Sequence, residues 1–546
     1  MEWFRRNYLS IDPRTLGFAR IALALLLLAD LGQRIGSVEL WYSNSGLLPN
    51  HTGLWQPTRH RNFSLFWTCS HWPEALVLML LIGIVYLGLL VGYRTRWCQV
   101  LTLLALVSLQ SRVDLLTAGE GYALSNLVCW TVFLPLGRRF SVDAVLADLR
   151  LRSDLDDEHL AGARQPARDV GPVVSLAVLA VLVQLAVLYF FNAVTKDGPT
   201  WMEGTAVYYF WQQERILTVL GLWAREHAPL ELSYVLTYGT LLAEAALPWL
   251  ILVPFGRPWT RRIAIALICG LHISIALLSN LGVFSYVMMV YATLLVGSKD
   301  WQAVERWARS RPRLQVLYDG SNRMCFQFSR LVDRLGLSGY AAQAIASAGP
   351  ARQGSRDDAA PLRQRVRRYV TVARETLVAL LVIVATMQLC LEVRVIPRVF
   401  KPDPMPEWAQ AVVGYTRMQQ GWQLFAPDAP LSEAFVLVDA VTSTGRHVDP
   451  LAEAGGYTPT PQARAIPVRP GLDTFWIEYH LRIPVFWPYH QPLKDWIARY
   501  HERTGRTEDR IVRWEAFLLE HDSPRPGELR PTRQRYRKFL EDSLEE

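Results

Sequence analysis

Apolar and polar stretches alternate along this chain on a long wavelength. Apolar runs fall at 16–31, 74–92, 97–116, 122–136, 173–191, 232–253, 263–279, 284–296 and 377–391, separated by loops rich in arginine, tryptophan, glycine and proline. Each run is near the ~20 residues that a bilayer core requires or somewhat shorter, which predicts about nine transmembrane helices. The stretch 205–223 is also apolar and aromatic, but Gln212, Gln213, Glu214 and Arg215 interrupt it. It predicts a helix lying on the membrane surface or dipping partway in. Ahead of the first run, Trp3, Phe4, Arg5 and Arg6 make a short basic amphipathic lead-in. The first run lacks a small-residue cleavage site and reads as a span rather than a signal peptide.

The polar remainder divides in two. Residues 298–370 form an insert between the eighth run and the last, and 371–394 contain the final span. From 395 to 546 the pattern becomes that of a folded domain. Residues 435–441 and 446–448 flank a Ser443-Thr444-Gly445 turn and predict a hairpin. Alternation at Phe475, Ile477 and Tyr479 predicts a strand over 474–483, and helices are expected over 491–504 and 532–544. The fold class is therefore mainly α, a polytopic membrane helix bundle (residues 1–297 and 371–394) with a C-terminal α+β domain.

Charge orients this bundle. The chain carries a formal net charge of +8, with 51% hydrophobic and 19% charged residues. Its basic sets, Arg5/Arg6/Arg14, Arg94/Arg96, Arg138 to Arg168, Arg257/Arg261/Arg262 and Lys299 to Arg374, occupy alternate loops. All fall on one side if the N-terminus is cytoplasmic, as the positive-inside bias requires, which makes the C-terminal domain extracytoplasmic. The charge is thus a membrane signature, with no basic-aromatic motif for nucleic acid. The arginine-, alanine- and leucine-heavy usage suggests a bacterial inner-membrane protein. The 20 tryptophans suit interfacial belts. The six cysteines form neither a CxxC nor a metal-type cluster, so no metal is expected.

Lysine is scarce, occurring at Lys196, Lys299, Lys401, Lys494 and Lys538 only. Lys196 stands in a polar turn just past the fifth apolar run, followed at once by Trp201. Arginine keeps its proton, whereas a partly desolvated lysine can lose it and serve as a base. The plain alternative is a lysine snorkelling at a helix end. Other polar groups in apolar runs are His272, either a proton relay or a core histidine, and Glu244, either a functional carboxylate or a partner for backbone freed by Pro248. Arg20 and Asp30 read as structural partners of other spans, and Asn192 as a helix cap. Phe191, with Phe190, Tyr208, Phe210 and Trp211, either lines an apolar pocket or packs in the membrane belt.

Two stretches carry a family resemblance. YFFNAVTKDGPTWMEG (189–204) resembles the signature of vitamin K-dependent gamma-carboxylases, with Lys196, Trp201, Glu203 and Gly204 on matching positions. LHISIALLSNLGVFSYVMM (271–289) resembles a second span of that family through His272, Gly282, Phe284, Ser285, Tyr286, Val287 and Met288. Asp12-Pro13, Arg20, Asp30, Tyr93-Arg94 and Ser141-Val142-Asp143 extend the likeness to the broader HTTM (horizontally transferred transmembrane) domain over roughly 12–297. The resemblance implies that Lys196 is a base toward a reduced, menaquinol-type vitamin K, in a reaction that uses O2 and CO2. His272 would assist, and Phe191, Asn192, Trp201, Glu244 and Tyr286 would bind the quinone. It also implies a protein substrate or envelope partner. The family's histidine at the outer start of the fourth span falls on Glu120 here, which makes Glu120 either an ion-pair partner of Lys196 or a base itself. A non-enzymatic lipid-binding or scaffold protein on the same bundle is the alternative. GWQLFAPDAP (421–430) resembles a segment that follows the last span in bacterial HTTM proteins, which suggests packing over the outer mouth of the bundle. VLYDGSNRMC (316–325) resembles the first strand and turn of DCC-type thiol-disulfide oxidoreductases. Asn322 replaces the first cysteine of their CxxC, so no redox function is expected.

Overall fold

The computed structural model describes residues 2–55, 61–153, 171–309, 314–318, 340–344, 360–451, 474–528 and 533–543. Ten helices make the bundle and its outer fringe: α1 (Pro13–Gly36), α2 (Trp72–Val91), α3 (Thr95–Arg112), α4 (Gly119–Val132), α5 (Leu176–Val194), α6 (Val219–His227), α7 (Leu230–Leu252), α8 (Arg257–Leu278), α9 (Phe284–Thr293) and α10 (Ala360–Glu392). Among the described residues, six segments are long and apolar enough to cross a membrane: α1, α2, α5, α7, α8 and the stretch Arg368–Glu392 of α10. The sequence predicts about nine spans; the remaining three correspond to α3, α4 and α9. Of these, α4 and α9 are short, and α3 buries Gln99, Thr102, Ser108, Gln110 and Arg112. Polar residues can be carried there because those positions are buried against protein, while Trp97, Val100 and Leu104 are exposed on the other face of α3.

The stretch 205–223 does not cross the bundle. It breaks into Ala206–Trp211 and the start of α6, with a 3-10 turn at Glu214–Ile216 between them. Charge gathers as the loops require. At one end of the bundle Asp143 accepts from the Arg94 and Thr95 amides, Arg262 pairs with Asp300, Arg14 pairs with Asp12, and Tyr8 donates to the Leu252 carbonyl. A short antiparallel pairing of Ser10–Ile11 with Val173–Val174 closes that end.

At the other end sits the C-terminal region. Helix α11 (Glu407–Thr416) follows α10, and α12 (Phe475–Arg482) precedes the last strands. Within the insert, β1 (Leu314–Tyr318) and β2 (Tyr340–Ala344) pair in parallel. The rest of the VLYDGSNRMC motif lies outside the described residues. The C-terminal sheet contains β3 (Ser432–Thr442), β4 (His447–Val448), β5 (Ile511–Asp522) and β6 (Gln534–Ser543), in the antiparallel order β4-β3-β5-β6. The expected hairpin is β3–β4.

Two other expectations fail. Residues 474–483 form the helix α12, because Phe475, Ile477, Tyr479 and His480 are buried on two faces, between Trp41 of the bundle and the strand β3. A helix sandwiched in this way buries alternate as well as helically spaced residues, and so imitates a strand. In place of the helix expected over 532–544, Gln534–Ser543 is the edge strand β6, since its charged side chains meet partners on β5, such as Lys538 with Glu515. Cross-strand pairing there outweighs helix propensity.

Candidate functional site

The lysine turn is built by the end of α5. Ser175 caps the start of that helix, and at its far end the Thr195 hydroxyl donates to the Phe191 carbonyl. Pro199 then starts a one-turn helix, Pro199–Met202. Lys196 is 3% exposed. Its ammonium lies 2.5 Å from Glu244 Oε2 on α7 and 4.4 Å from the centre of the Trp201 ring. Asn192, one helical turn before Lys196, donates to the other Glu244 oxygen at 2.7 Å. The expected helix cap at Asn192 is therefore a bridge: its side-chain oxygen accepts from the Leu424 amide of the C-terminal region at 2.9 Å. Glu244 spends its carboxylate on Lys196 and Asn192 rather than on backbone near Pro248.

The segment 421–430 closes over this turn. The Trp201 indole donates to the Phe425 carbonyl, the Gly198 amide to the Pro427 carbonyl, and the Thr200 amide and hydroxyl to Asp428. A Cβ on Gly198 would come within 2.4 Å of the Asp428 carboxylate, so the close approach requires glycine. Arg394, just past α10, pairs with Asp197 and donates to the Thr195 carbonyl.

One layer deeper, Tyr189 and His272 share a 2.9 Å hydrogen bond through His272 Nε2, with Phe284 edge-on to the imidazole. The other ring nitrogen, Nδ1, is buried and has no protein partner. Phe191 is half-buried on the same helix as Tyr189, whereas Tyr286 is exposed on α9 and stands apart from this chain of contacts. Arg20 donates to the Phe140 carbonyl, and Asp30 pairs with Arg34 of its own helix rather than with another span.

Glu120 is elsewhere. It accepts from Thr474 at 3.3 Å and lines a polar cavity of about 20 Å³ with Asp30, Arg34, Gln110, Thr117 and Phe475. That volume suits one water molecule. Glu120 lies outside the six candidate spans, beneath the C-terminal domain. Burial, and then the neighbouring Glu478, push its carboxyl up to about 7. Lys196 thus pairs with Glu244, not with Glu120.

Three residues not expected from the sequence also shape the site: Gln184 and Gln420, which bond to each other at 2.9 Å in the core, and Asp428, which locks the lysine turn. A glutamine inside an apolar run was the available signal for Gln184.

Residues 159–301 match the family model of the HTTM domain. No curated protein and no solved structure matches the chain. The matched region takes in Lys196, Glu244, His272 and Tyr286, and leaves Glu120 and the closing segment outside it.

Proposed function

We propose that this protein, a membrane protein carrying an HTTM domain, is an enzyme whose acid–base centre is the Lys196–Glu244 pair. Its substrate would be a reduced lipid-like quinone of the menaquinol type, in carboxylase-like chemistry that uses O2 and CO2. The reading places the arginine-rich end of the bundle in the cytoplasm and the pair toward the extracytoplasmic face of a bacterial inner membrane. The observation that carries it is the buried pair itself. Taking two charges out of water costs several kcal/mol per ion, and ionisable groups held inside a membrane protein usually serve its chemistry.

The surroundings suit a flat, apolar ring with polar edges. Phe191, Trp201 and Phe284 offer aromatic surface, and the unpartnered Nδ1 of His272 offers a hydrogen-bonding group. A bound quinol would supply the oxygen-dependent step that generates a strong base. The chain's own part is to hold the ring and to accept a hydroxyl proton at Lys196 Nζ, with Glu244 and Asn192 positioning that amine. The segment 421–430 covers the turn through its bonds to Thr200 and Trp201.

The test is purification in mild detergent, lipid extraction and mass spectrometry for co-purified quinones, with an assay of quinol epoxidation by wild type and Lys196→Ala. Co-purified quinone and turnover lost in the variant are expected; neither quinone nor lysine-dependent turnover would sink the reading.

A second reading rests on how fully the pair is closed. Lys196 is capped by Glu244 and Trp201, and the C-terminal segment binds Asn192 and Trp201 beside it, which also suits a non-enzymatic scaffold that binds lipid or holds an envelope partner. The double variant Lys196→Met/Glu244→Leu separates the two. A scaffold keeps its partner in that background, whereas the enzyme loses all turnover.

A further inference from the structure

Gln420 belongs to the region after the last span, yet its amide donates to Asn126 on α4 at 2.7 Å, and its oxygen accepts from Gln184 on α5 at 2.9 Å. Gln184 precedes the end of α5 by ten residues, and Asn126 lies seven residues inside the outer end of α4. At 1.5 Å rise per residue, Gln420 therefore sits roughly 10–15 Å below the outer ends of those helices. The chain leaves α10, runs down again to this depth, and climbs to meet Asn192 at Leu424.

Such a path exposes irregular backbone to a membrane interior, where each unpaired polar group costs several kcal/mol. Side chains from the bundle provide the partners. Asn126 donates to the Gln419 carbonyl, Gln388 to the Gln419 side chain, and Asn192 accepts from the Leu424 amide. This explains why Asn126, Gln184 and Gln388 occupy helices that otherwise favour apolar residues.

The descending limb is α11. Its Ala409 and Val413, with Met405, cluster with Val384 of α10, and Met387 and Leu391 pack against them. Val384 lies eight residues before the end of α10, roughly 12 Å down the helix. Large apolar side chains lie open on the turn before this limb and at its start: Val399 is 82% exposed, Phe400 65% and Trp408 55%, with Asp403 and Glu407 exposed at the bend between them. Arg398 and Lys401 flank Val399 and Phe400, and Lys401 is pinned near the end of the last span through the Leu391 carbonyl at 3.1 Å.

From this geometry we infer that residues 393–424 are a re-entrant segment, and that Val399, Phe400 and Trp408 face phospholipid of the outer leaflet. The occupant is lipid because the exposed side chains continue the lipid-facing surface of α10, where Leu380 and Ile383 are also exposed. Apolar and aromatic side chains flanked by cations near the outer end of the last span suit the boundary between acyl chains and headgroups. The inference does not depend on any catalytic role for Lys196.

The experiment places p-benzoylphenylalanine at Val399, Phe400 or Trp408, one at a time, in the full chain in phosphatidylethanolamine–phosphatidylglycerol nanodiscs. Tyr536, exposed on the edge strand β6, serves as the solvent-side control. All four positions are surface sites, so packing is undisturbed. After irradiation, intact-protein mass spectrometry should find single-phospholipid adducts several-fold more abundant at 399, 400 and 408 than at 536. Equal adduct yields at all four positions, or cross-links to protein in place of lipid at 400 and 408, would overturn the inference.

Discussion

Lys196 Nζ and Glu244 Oε2 are 2.5 Å apart across the α5–α7 contact, and Asn192 holds the second carboxylate oxygen. Removing one member strands the other as a buried charge. Glu244→Gln is therefore expected to destabilise the protein by about 3–5 kcal/mol, whereas Lys196→Met/Glu244→Leu should recover most of that loss. Thermal melts of the full chain in detergent measure both. A single variant as stable as wild type would mean that the pair is not buried as described.

The lock over the turn makes a separate prediction. Asp428→Ala removes the acceptor for both the amide and the hydroxyl of Thr200, and Gly198→Ala drives a Cβ into the same carboxylate. Each buried donor left unpaired costs about 1–3 kcal/mol. Hydrogen exchange should accelerate at residues 198–205 in either variant while the α1–α2 contact stays protected. Unchanged protection at the turn would count against the lock.

Docking of the C-terminal sheet depends on Arg215, whose amide donates to Glu433 at 2.9 Å and whose guanidinium reaches the Ala434 carbonyl. Glu433 is fully buried, with His521 as a further neighbour at 3.4 Å. Arg215→Ala should cost roughly 3 kcal/mol, since a buried carboxylate keeps only part of its compensation. Limited proteolysis between the bundle and the sheet is the readout, with faster release of a C-terminal fragment expected.

Stability should also fall with rising pH. The Glu120 carboxyl is raised by burial to about 7. A carboxyl raised above its unfolded value supports the fold fully below that value and loses the contribution as pH rises through about 7. Asp449, raised to about 7 by burial in the C-terminal domain, acts in the same window. Glu120→Gln should therefore remove about 3 kcal/mol of the pH dependence between about pH 4.5 and pH 7 and leave the share of Asp449. Identical pH profiles for wild type and variant would refute the burial of Glu120.

Much of the bundle was legible because spans and basic loops are local signals. Lys196 stood out through the scarcity of lysine and the turn around it. Its partner did not, because Glu120 and Glu244 are both carboxylates near apolar runs, and only the rotation of α7 against α5 decides which faces Nζ. The presence of Glu244 inside an apolar run did show that it must point inward. The misread elements have one cause in common. Helix α12 takes its form from contacts with Trp41, more than 400 residues upstream, and from β3, which leave it a strand-like alternation, while strand β6 takes its form from pairing with β5, the strand just before it. The dip of the chain at Gln420 was likewise hidden, since its partners Asn126 and Gln184 lie more than 200 residues upstream.

The bond between Thr200 and Asp428 spans 228 residues of chain. A ribosome adding 5–20 residues per second needs roughly 10–45 s to make the stretch between them. For that interval each newly inserted molecule carries its lysine turn without the segment that seals it, so the site is born open and closes only when the final portion of the polypeptide arrives.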